Sequence, residues 1–310
     1  MGMLETRQLG HSGIAVSVVG LGCNQFGSRL DFAGTRAVLD AAIDRGITLL
    51  DTADRYGNTR SEELMGEILQ GRRDEVVLAT KFGLDAGDGW AGAARGSGEY
   101  VRHAVEGSLR RLRTDVIDLY WYHRPDGVTP VTETLGALDA LVKAGKVRAI
   151  GASNFTAEQI READASAKSN SLTPFTAVQN EYSLLYREPE REVLSLCASL
   201  NLAFIPYYPL ASGLLTGKYR RGQAAPAGAR LANREQIASD EQWQAVEALC
   251  AWAAAQGLRP AQLAIAALLT QPAVVSVIAG ATGPQQVALN AEAAALKLSG
   301  AQLKELFTAL

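Results

Sequence analysis

The stretch Val116–Ala152 reads VIDLYWYHRPDGVTPVTETLGALDALVKAGKVRAIGA and contains one complete strand–helix–strand unit. Val116–Tyr122 is a short run of β-branched and aromatic residues, which is typical of a buried strand. Val131–Lys143 carries apolar residues at helical spacing, and Val147–Ala152 is the next apolar run. A helix that connects two such runs predicts that the strands lie parallel in one sheet.

The same alternation runs through the rest of the chain. Six further strands are predicted at Val18–Gly22, Thr48–Asp51, Val76–Lys81, Ala177–Asn180, Ala203–Tyr207 and Val274–Ala279. Helices are predicted at Gly34–Arg45, from Ser61 onward, and at Gly98–Leu112, Thr156–Ala167, Pro189–Leu200 and Pro260–Thr270. Eight strands that alternate with helices predict an α/β fold of the (β/α)8 TIM-barrel type.

An open, doubly wound sheet is the competing architecture. Its first strand is usually followed by a glycine-rich dinucleotide turn that leads into a helix. Here the corresponding segment Gly20–Gln25 lacks the third glycine, and no helical pattern follows directly. The sequence therefore favours the closed barrel, and we expect residues 1–310 to form a single (β/α)8 domain.

Segments outside this alternation complete the predicted architecture. Thr6–Leu9 and Ile14–Val16 flank a His11–Ser12–Gly13 turn, which predicts a short N-terminal β-hairpin at one end of the barrel. Leu84–Ser97 and Gln223–Asp240 are long and poor in core residues. Long loops in a compact domain are usually functional or mobile.

Composition excludes several classes of function. The 310 residues carry a formal net charge of −3, so there is no basic footprint for nucleic acid. No apolar stretch approaches the roughly 20 residues of a membrane helix. The three cysteines, Cys23, Cys197 and Cys250, are odd in number and widely spaced, which fits a reducing compartment. With no signal-peptide pattern at the N-terminus, we expect a cytoplasmic protein.

Polar residues and glycine follow the predicted strands. Active sites of (β/α)8 barrels lie at the carboxyl ends of the strands, where the side chains of successive strands meet. In chain order these ends carry Asn24, Asp51, Lys81, His123, Ser153 with Asn154, Gln179, Tyr207 and Gly280. This series predicts a binding or catalytic site at that end of the barrel.

Four residues of this region form a coherent acid–base set. Asp51 and Lys81 end neighbouring strands and are placed to form an ion pair, and Tyr56 follows Asp51 by five residues. A nearby ammonium group lowers the pKa of a phenol, which suits a tyrosine that donates a proton to an alkoxide. His123, one strand further on, is placed to bind the same substrate oxygen. The competing interpretation is a structural Asp–Lys pair beside a packed tyrosine and a core histidine.

A metal site is disfavoured because no closely spaced pair of histidines occurs.

At this point the chain resembles the aldo-keto reductase superfamily, in particular its bacterial branch with features of potassium-channel β-subunits. The resemblance covers nearly the whole chain and rests on the order of many short segments. These are Arg7–Gly10 with Gly13, Gly20–Gly22, Asp51–Gly57, Thr80–Gly83, Asp118–Tyr120 through His123–Asp126, Gly145–Arg148, Gly151 with Ser153–Phe155, Gln179–Ser183 and Gly213–Tyr219.

The resemblance implies a barrel that binds NADPH without a Rossmann domain, with NADH as the other cofactor to consider. The catalytic tetrad of the family falls on Asp51, Tyr56, Lys81 and His123. By this correspondence Tyr56 is the general acid, Lys81 tunes its acidity, Asp51 holds Lys81, and His123 orients the carbonyl group. The expected substrate is a small-molecule aldehyde or ketone.

The cofactor contacts carry over in the same way. Ser153, Asn154 and Gln179 match the positions that bind the carboxamide, and Tyr207 matches the aromatic residue that stacks on the nicotinamide. Pro209, Leu210, Ser212, Gly213 and Lys218 match the loop over the pyrophosphate. Gly280, Thr282, Gln286 and Asn290 match the segment at the far end of the cofactor, and Arg230 matches an arginine of the long loop.

Departures from the family pattern leave the cofactor and the direction of the reaction open. A second tyrosine, Tyr208, stands where the family usually has serine, and Ala279 stands where it often has proline. Gly280, Thr282 and Gln286 carry no charge for the 2′-phosphate of NADPH, although Lys218, Arg220, Arg221 or Arg230 can supply one.

Three hypotheses follow from this pattern. The favoured one is an NADPH-dependent carbonyl reductase. The alternatives are an NAD-linked sugar or alcohol dehydrogenase on the same fold and a low-turnover nicotinamide-binding regulatory subunit. The natural substrate and the oligomeric state are not specified by the sequence.

Overall fold

A computed structural model describes residues 4–232, 234 and 236–310. Its main sheet has eight parallel strands in the order β10-β3-β4-β5-β6-β7-β8-β9. The strands are β3 (Val19–Gly22), β4 (Leu49–Asp51), β5 (Val77–Phe82), β6 (Ile117–Tyr122), β7 (Val147–Ser153), β8 (Ala177–Gln179), β9 (Ala203–Phe204) and β10 (Val277–Gly280). All eight predicted strands are present, and the predicted α/β barrel is confirmed.

Hydrogen bonds between the two ends of the sheet close it. The Phe204 N–H donates to the carbonyl of Ala273 at 2.8 Å, and the Val275 N–H donates to the carbonyl of Phe204 at 3.1 Å. The Ile278 N–H reaches the carbonyl of Pro206 at 3.1 Å. Strands β9 and β10 are thereby joined, and the carboxyl ends of all eight strands form one rim.

A hairpin fills the other end of the barrel. Strands β1 (Thr6–Gln8) and β2 (Ala15–Ser17) pair antiparallel, as the sequence predicts. Leu9, Ile14 and Val16 are buried in one cluster with inward-facing strand residues such as Trp121. The hairpin therefore covers the amino ends of the strands, and access from solvent is through the opposite rim.

Helices cover the outside of the sheet. They are α1 (Phe32–Asp44), α2 (Arg60–Ile68), α3 (Gly98–Leu112), α4 (Val131–Lys143), α5 (Ala157–Ser169), α6 (Val193–Ser199), α7 (Asp240–Ala255), α8 (Pro260–Leu269), α9 (Pro284–Glu292) and α10 (Gly300–Ala309). A capping box begins α5: the Thr156 hydroxyl accepts from the Gln159 N–H, and the Gln159 side chain accepts from the Thr156 N–H. The helix α7 was not predicted from the sequence.

Three predicted elements differ from the structure by three residues or more at one end. Strand β9 ends at Phe204 rather than Tyr207, and beyond Phe204 the pairing on the β8 side is a bridge between Glu181 and Tyr207. Pro206 has no N–H to donate toward the β10 side. Strand β10 begins at Val277 rather than Val274. The predicted helix Pro189–Leu200 is a 3-10 turn over Glu188–Glu190 followed by α6.

One helix crossing depends on a glycine. A Cβ atom on Gly66 of α2 would lie 2.2 Å from the carbonyl oxygen of Arg111 and 2.7 Å from the carbonyl carbon of Leu112. Backbone atoms cannot rotate away, so we expect Gly66→Ala to lower the free energy of unfolding by about 1–3 kcal/mol. Urea denaturation followed by circular dichroism measures this change.

A glycine of another helix provides the matched control. A Cβ atom on Gly136 of α4 would have no neighbour within 4 Å. Gly136→Ala should therefore raise the free energy of unfolding by up to about 1 kcal/mol, because alanine is the better helix former. Equal urea midpoints for the two variants would contradict the close α2–α3 crossing.

Candidate active site

A large cavity opens at the carboxyl ends of the strands. Its volume is about 1130 Å³. Small-molecule pockets usually measure roughly 300–1,000 Å³, so this cavity has room for a cofactor and a substrate together. Asp51, Tyr56 and His123 line it, while Lys81 lies directly behind them. All fourteen residues expected to contact the cofactor also line it.

Asp51, Lys81 and Tyr56 are in direct contact. The Lys81 ammonium forms an ion pair with the Asp51 carboxylate and donates a second hydrogen bond to the carbonyl of Thr52 at 2.8 Å. Its Nζ lies 3.4 Å from the Tyr56 hydroxyl. The other Asp51 oxygen accepts from Nε2 of Gln179 at 3.0 Å. The residues predicted to form an acid–base set therefore meet, with Lys81 fully buried among them.

Burial and charge act in opposite directions on these groups. Burial raises the pKa of Tyr56, and the Lys81 ammonium opposes this rise without cancelling it. From the sequence we expected Lys81 to bring the pKa of Tyr56 below that of a free tyrosine. That expectation is wrong, because the pKa of Tyr56 is raised overall. Burial lowers the pKa of Lys81, but Asp51 and Tyr56 raise it further, so the ammonium stays charged. At neutral pH the pair is a protonated tyrosine beside a lysine cation.

His123 is neutral and faces Tyr56. Burial lowers its pKa to about 2, and the cations Lys81, Arg55 and Arg124 contribute to this shift. Its ring lies edge-on to that of Tyr56, with 6.0 Å between the centroids. Its Nδ1 is buried and has no partner among the described residues. A neutral imidazole at this position can hydrogen-bond a substrate oxygen without adding charge.

Hydroxyl and amide groups follow β7, β8 and β9. Asn154 adopts a left-handed conformation, with φ of 61°, and its Nδ2 donates to the carbonyl of His123 at 2.9 Å and to the Ser153 hydroxyl at 3.1 Å. Its Oδ1 accepts from the Tyr207 hydroxyl at 2.7 Å. Ser153, Asn154, Gln179 and Tyr207 thus form one connected edge of the cavity beside the acid–base set.

The loop after β9 is built on unusual backbone conformations. Ala211, Ser212 and Gly213 all have positive φ angles. A Cβ atom on Gly213 would lie 3.1 Å from both Cε and Nζ of Lys218. Glycine at 213 therefore lets the Lys218 ammonium lie over the loop, which is an arrangement suited to phosphate groups. Pro209 and Leu210 line the cavity beside this loop.

Tyr208, the departure from the family pattern, contacts an arginine. The Arg230 guanidinium lies over the Tyr208 ring at 4.7 Å from the centroid and donates to its hydroxyl at 2.9 Å. Arg220 instead donates to the carbonyls of Gly217 and Tyr219, and Arg221 pairs with Asp240. Of the loop cations considered from the sequence, Lys218 and Arg230 line the cavity.

The last part of the cavity is formed by β10 and α9. The Thr282 N–H and hydroxyl donate to Oε1 of Gln286, at 2.8 and 3.2 Å. Gly280 and Asn290 lie on the same wall. Residues 280, 282 and 286 therefore give this wall of the cavity an uncharged surface that can form hydrogen bonds.

Comparison with known proteins identifies the family. The sequence model described as the Aldo/keto reductase family matches residues 18–309. The chain belongs to the aldo/keto reductase family. It is 36% identical to a probable aldo-keto reductase 1 of Glycine max over 99% of this chain and 89% of that protein. It is 37% identical to a probable voltage-gated potassium channel subunit beta of Oryza sativa subsp. japonica over 94% of this chain and 91% of that one.

This aldo/keto reductase is therefore an oxidoreductase, and its cavity holds charged residues that were not predicted from the sequence. These are Arg29, Arg55, Arg124, Glu181 and Arg259. Arg55 and Arg124 adjoin Tyr56 and His123 in the chain, and that adjacency was the available signal. Arg29 and Arg259 reach the cavity only through the packing of a loop and of α8, which no local pattern reveals.

Two tryptophans and a cysteine take no part in the acid–base set of the reductase. Trp90 packs on His103, with 4.6 Å between the centroids, and Trp121 is buried in the barrel. Cys23 lines the cavity, and burial raises the pKa of its thiol well above that of a free cysteine, which disfavours the nucleophilic thiolate. Within the described residues, no cluster of three His, Cys, Asp or Glu side chains is arranged for a metal ion. Over the same residues, no helix is both long and apolar enough to cross a membrane.

Proposed function

We propose that this chain reduces an aldehyde or ketone with NADPH, and that Tyr56 donates the proton. The observation that carries the proposal is the contact chain from Asp51 through Lys81 to the Tyr56 hydroxyl, at the floor of a cavity that also holds neutral His123. The proposal includes a single domain over residues 1–310 and a cytoplasmic location, which the three free cysteines favour.

The residues present fit the cofactor. Ser153, Asn154 and Gln179 offer hydroxyl and amide groups to the two-sided carboxamide, and Tyr207 offers a ring face beside them. The loop with Gly213 and Lys218 suits the pyrophosphate. Thr282, Gln286 and Asn290 would hold the adenosine end, with Arg230 as the cation for the 2′-phosphate. When bound, the nicotinamide supplies the hydride.

The side chains of this chain carry the proton chemistry. Tyr56 is protonated at neutral pH, since burial raises its pKa above that of a free tyrosine, and it can transfer that proton to the oxygen of the reacting carbonyl. Lys81 stabilises the phenolate that remains, and Asp51 and the Thr52 carbonyl keep the ammonium in place. His123, which is neutral, orients the carbonyl oxygen toward Tyr56.

A second candidate function is oxidation of an alcohol or sugar with NAD. The observation that favours it is the uncharged wall of Gly280, Thr282 and Gln286. NAD lacks the 2′-phosphate, so it does not need a cation there. A low-turnover binding role, suggested by the name of the rice relative, is a weaker candidate because the whole acid–base set is assembled.

One titration separates these candidates. NADPH and NADH are added separately to the purified protein, and quenching of its tryptophan fluorescence is recorded, followed by turnover with 4-nitrobenzaldehyde at 340 nm. Tight NADPH binding with turnover supports the reductase. Equal or reversed affinities favour the NAD-linked enzyme, tight binding without turnover favours the binding role, and binding of neither cofactor contradicts the proposal.

Arg230 provides a test of cofactor preference. We expect Arg230→Gln to raise the Kd for NADPH by about 10- to 100-fold, because a charge-assisted hydrogen bond contributes about 1.5–3 kcal/mol. The Kd for NADH should change little. Arg221→Gln, on the same loop but paired with Asp240 outside the cavity, is the control. Equal losses for both cofactors would mean that Arg230 does not hold the 2′-phosphate.

A further inference from the structure

Four of the six cations that line the cavity fall into two groups that follow different strands, and the other two are Arg29 and Arg259. Lys218 and Arg230 belong to the loop after β9, on the side where β7 to β10 carry the proposed cofactor contacts. Arg55 follows β4 and Arg124 follows β6, the two neighbours of β5. These two arginines therefore lie on the other part of the rim, which the cofactor contacts do not use.

Arg55 and Arg124 also flank the reacting groups. Arg55 directly precedes Tyr56, and Arg124 directly follows His123. Both guanidinium charges act on the imidazole of His123, since each contributes to lowering its pKa. Both side chains are exposed to the cavity, so they are close enough to contact the part of a substrate that lies beside its carbonyl group.

Neither arginine is neutralised by a carboxylate in the described part of the chain. No ion pair within 4.0 Å is formed by Arg55 or Arg124 among those residues. Of the acids that line the cavity, Asp51 is paired with Lys81. The other, Glu181, forms no ion pair with either arginine, and burial raises the pKa of its carboxyl group. Two guanidinium groups thus face the mouth of the cavity in a protein whose net charge is −3.

We propose that Arg55 and Arg124 form an anion subsite, and that the substrate is a carbonyl compound with a carboxylate or phosphate group. The proposal rests on the reductase function proposed above. Guanidinium groups bind both anions through paired N–H donors. The carbonyl then lies between Tyr56 and His123, while the anionic group is held at the rim. A neutral aldehyde of the same shape lacks this second anchor.

The test compares matched pairs of compounds. 4-Carboxybenzaldehyde and its uncharged methyl ester differ in the anion, and glyceraldehyde 3-phosphate with glyceraldehyde forms the phosphate pair. We expect kcat/KM for the charged member to exceed that of its partner by about 10- to 100-fold, the effect of a charge-assisted hydrogen bond. The two pairs show which anion is preferred. The preference should fall with added salt, because exposed charges are screened.

Variants assign the preference to these residues. In the double variant Arg55→Gln/Arg124→Gln, the ratio of kcat/KM for the charged compound to kcat/KM for its uncharged partner should fall to near one. The double variant Arg55→Lys/Arg124→Lys should keep part of this ratio. Arg102→Gln, an exposed arginine of α3, should keep all of it. The uncharged ester, measured in each variant, corrects for any effect on Tyr56 or His123. A wild-type ratio near one, or a ratio that survives the double glutamine variant, overturns the proposal.

Equilibrium binding separates this proposal from the proposed function. The alcohol product 4-(hydroxymethyl)benzoate and its methyl ester are titrated against the protein with NADP+, with tryptophan fluorescence as the signal. Tighter binding of the carboxylate, lost in the double glutamine variant, supports the subsite even if no aldehyde is reduced. Weaker NADPH binding in that variant, with an unchanged carboxylate preference, would assign the arginines to the cofactor and overturn the subsite.

Discussion

The Tyr56→Phe variant will reduce aldehydes about 10²- to 10⁴-fold more slowly in kcat than the wild type, the range for loss of a general acid. The variant removes only the hydroxyl that lies 3.4 Å from Nζ of Lys81. Without it, no described group at this position can transfer a proton to the developing alkoxide. Because the ring remains, its contact with His123 and the shape of the cavity should be preserved.

Cofactor binding distinguishes a lost proton donor from a damaged site. The Kd for NADPH, measured by tryptophan quenching, should be nearly unchanged in Tyr56→Phe, because none of the proposed cofactor contacts is altered. Tyr186→Phe removes an exposed hydroxyl away from the cavity and should keep full activity. Wild-type turnover in Tyr56→Phe would show that another group donates the proton.

Lys81→Met will lower the free energy of unfolding by about 3–5 kcal/mol, the cost of leaving one partner of a buried ion pair uncompensated. The Lys81 side chain is 1% exposed and that of Asp51 4%. Methionine fills much of the same volume, so the loss comes from the isolated Asp51 carboxylate rather than from a cavity. Urea denaturation measures the effect, and aldehyde reduction should be lost as well.

Two further variants show whether the stability lost in Lys81→Met comes from burial of the Asp51–Lys81 pair. Lys81→Met/Asp51→Asn removes the stranded charge and should recover most of the lost stability. Lys168→Met breaks an exposed helical pair with Asp164 and should cost only about 0–1 kcal/mol. If Lys81→Met and Lys168→Met were equally stable, the Asp51–Lys81 pair would not be desolvated.

The pH dependence of the Lys81 contribution follows from the direction of its pKa shift. The folded protein raises the pKa of Lys81 above that of a free lysine. A base with a raised pKa stabilises the fold fully below its unfolded value, about 10.4, and loses that contribution as pH rises through the folded value. The stability difference between wild type and Lys81→Met should therefore not decline between neutral pH and about pH 9.

The barrel and the meeting of the acid–base set were predictable from the sequence for a physical reason. Strands buried on both faces are nearly continuous apolar runs, and parallel strands bring their carboxyl ends to one rim. Residues far apart in sequence, such as Asp51, Lys81 and His123, are thus brought together once the strands are recognised.

What could not be predicted depends on packing. The sign of the Tyr56 pKa shift is set by burial, which is known only once the surrounding loops are placed. The contact of Arg230 with Tyr208 joins two distant parts of the long connection between β9 and α7, whose backbone conformation carries no periodic signal. Helix α7 is rich in alanine on several faces, so its apolar stripe is weakly defined in the sequence.

The pairing of β3 with β10 has a consequence for how the protein is made. The register runs from Val277 opposite Val19 to Gly280 opposite Gly22, so the first and last strands of the sheet are neighbours. Translation releases β10 only after most of the chain has left the ribosome. The rim and its reactive groups are therefore completed late, and the nascent chain must stay soluble with two open sheet edges, those of β3 and β9, until β10 is available.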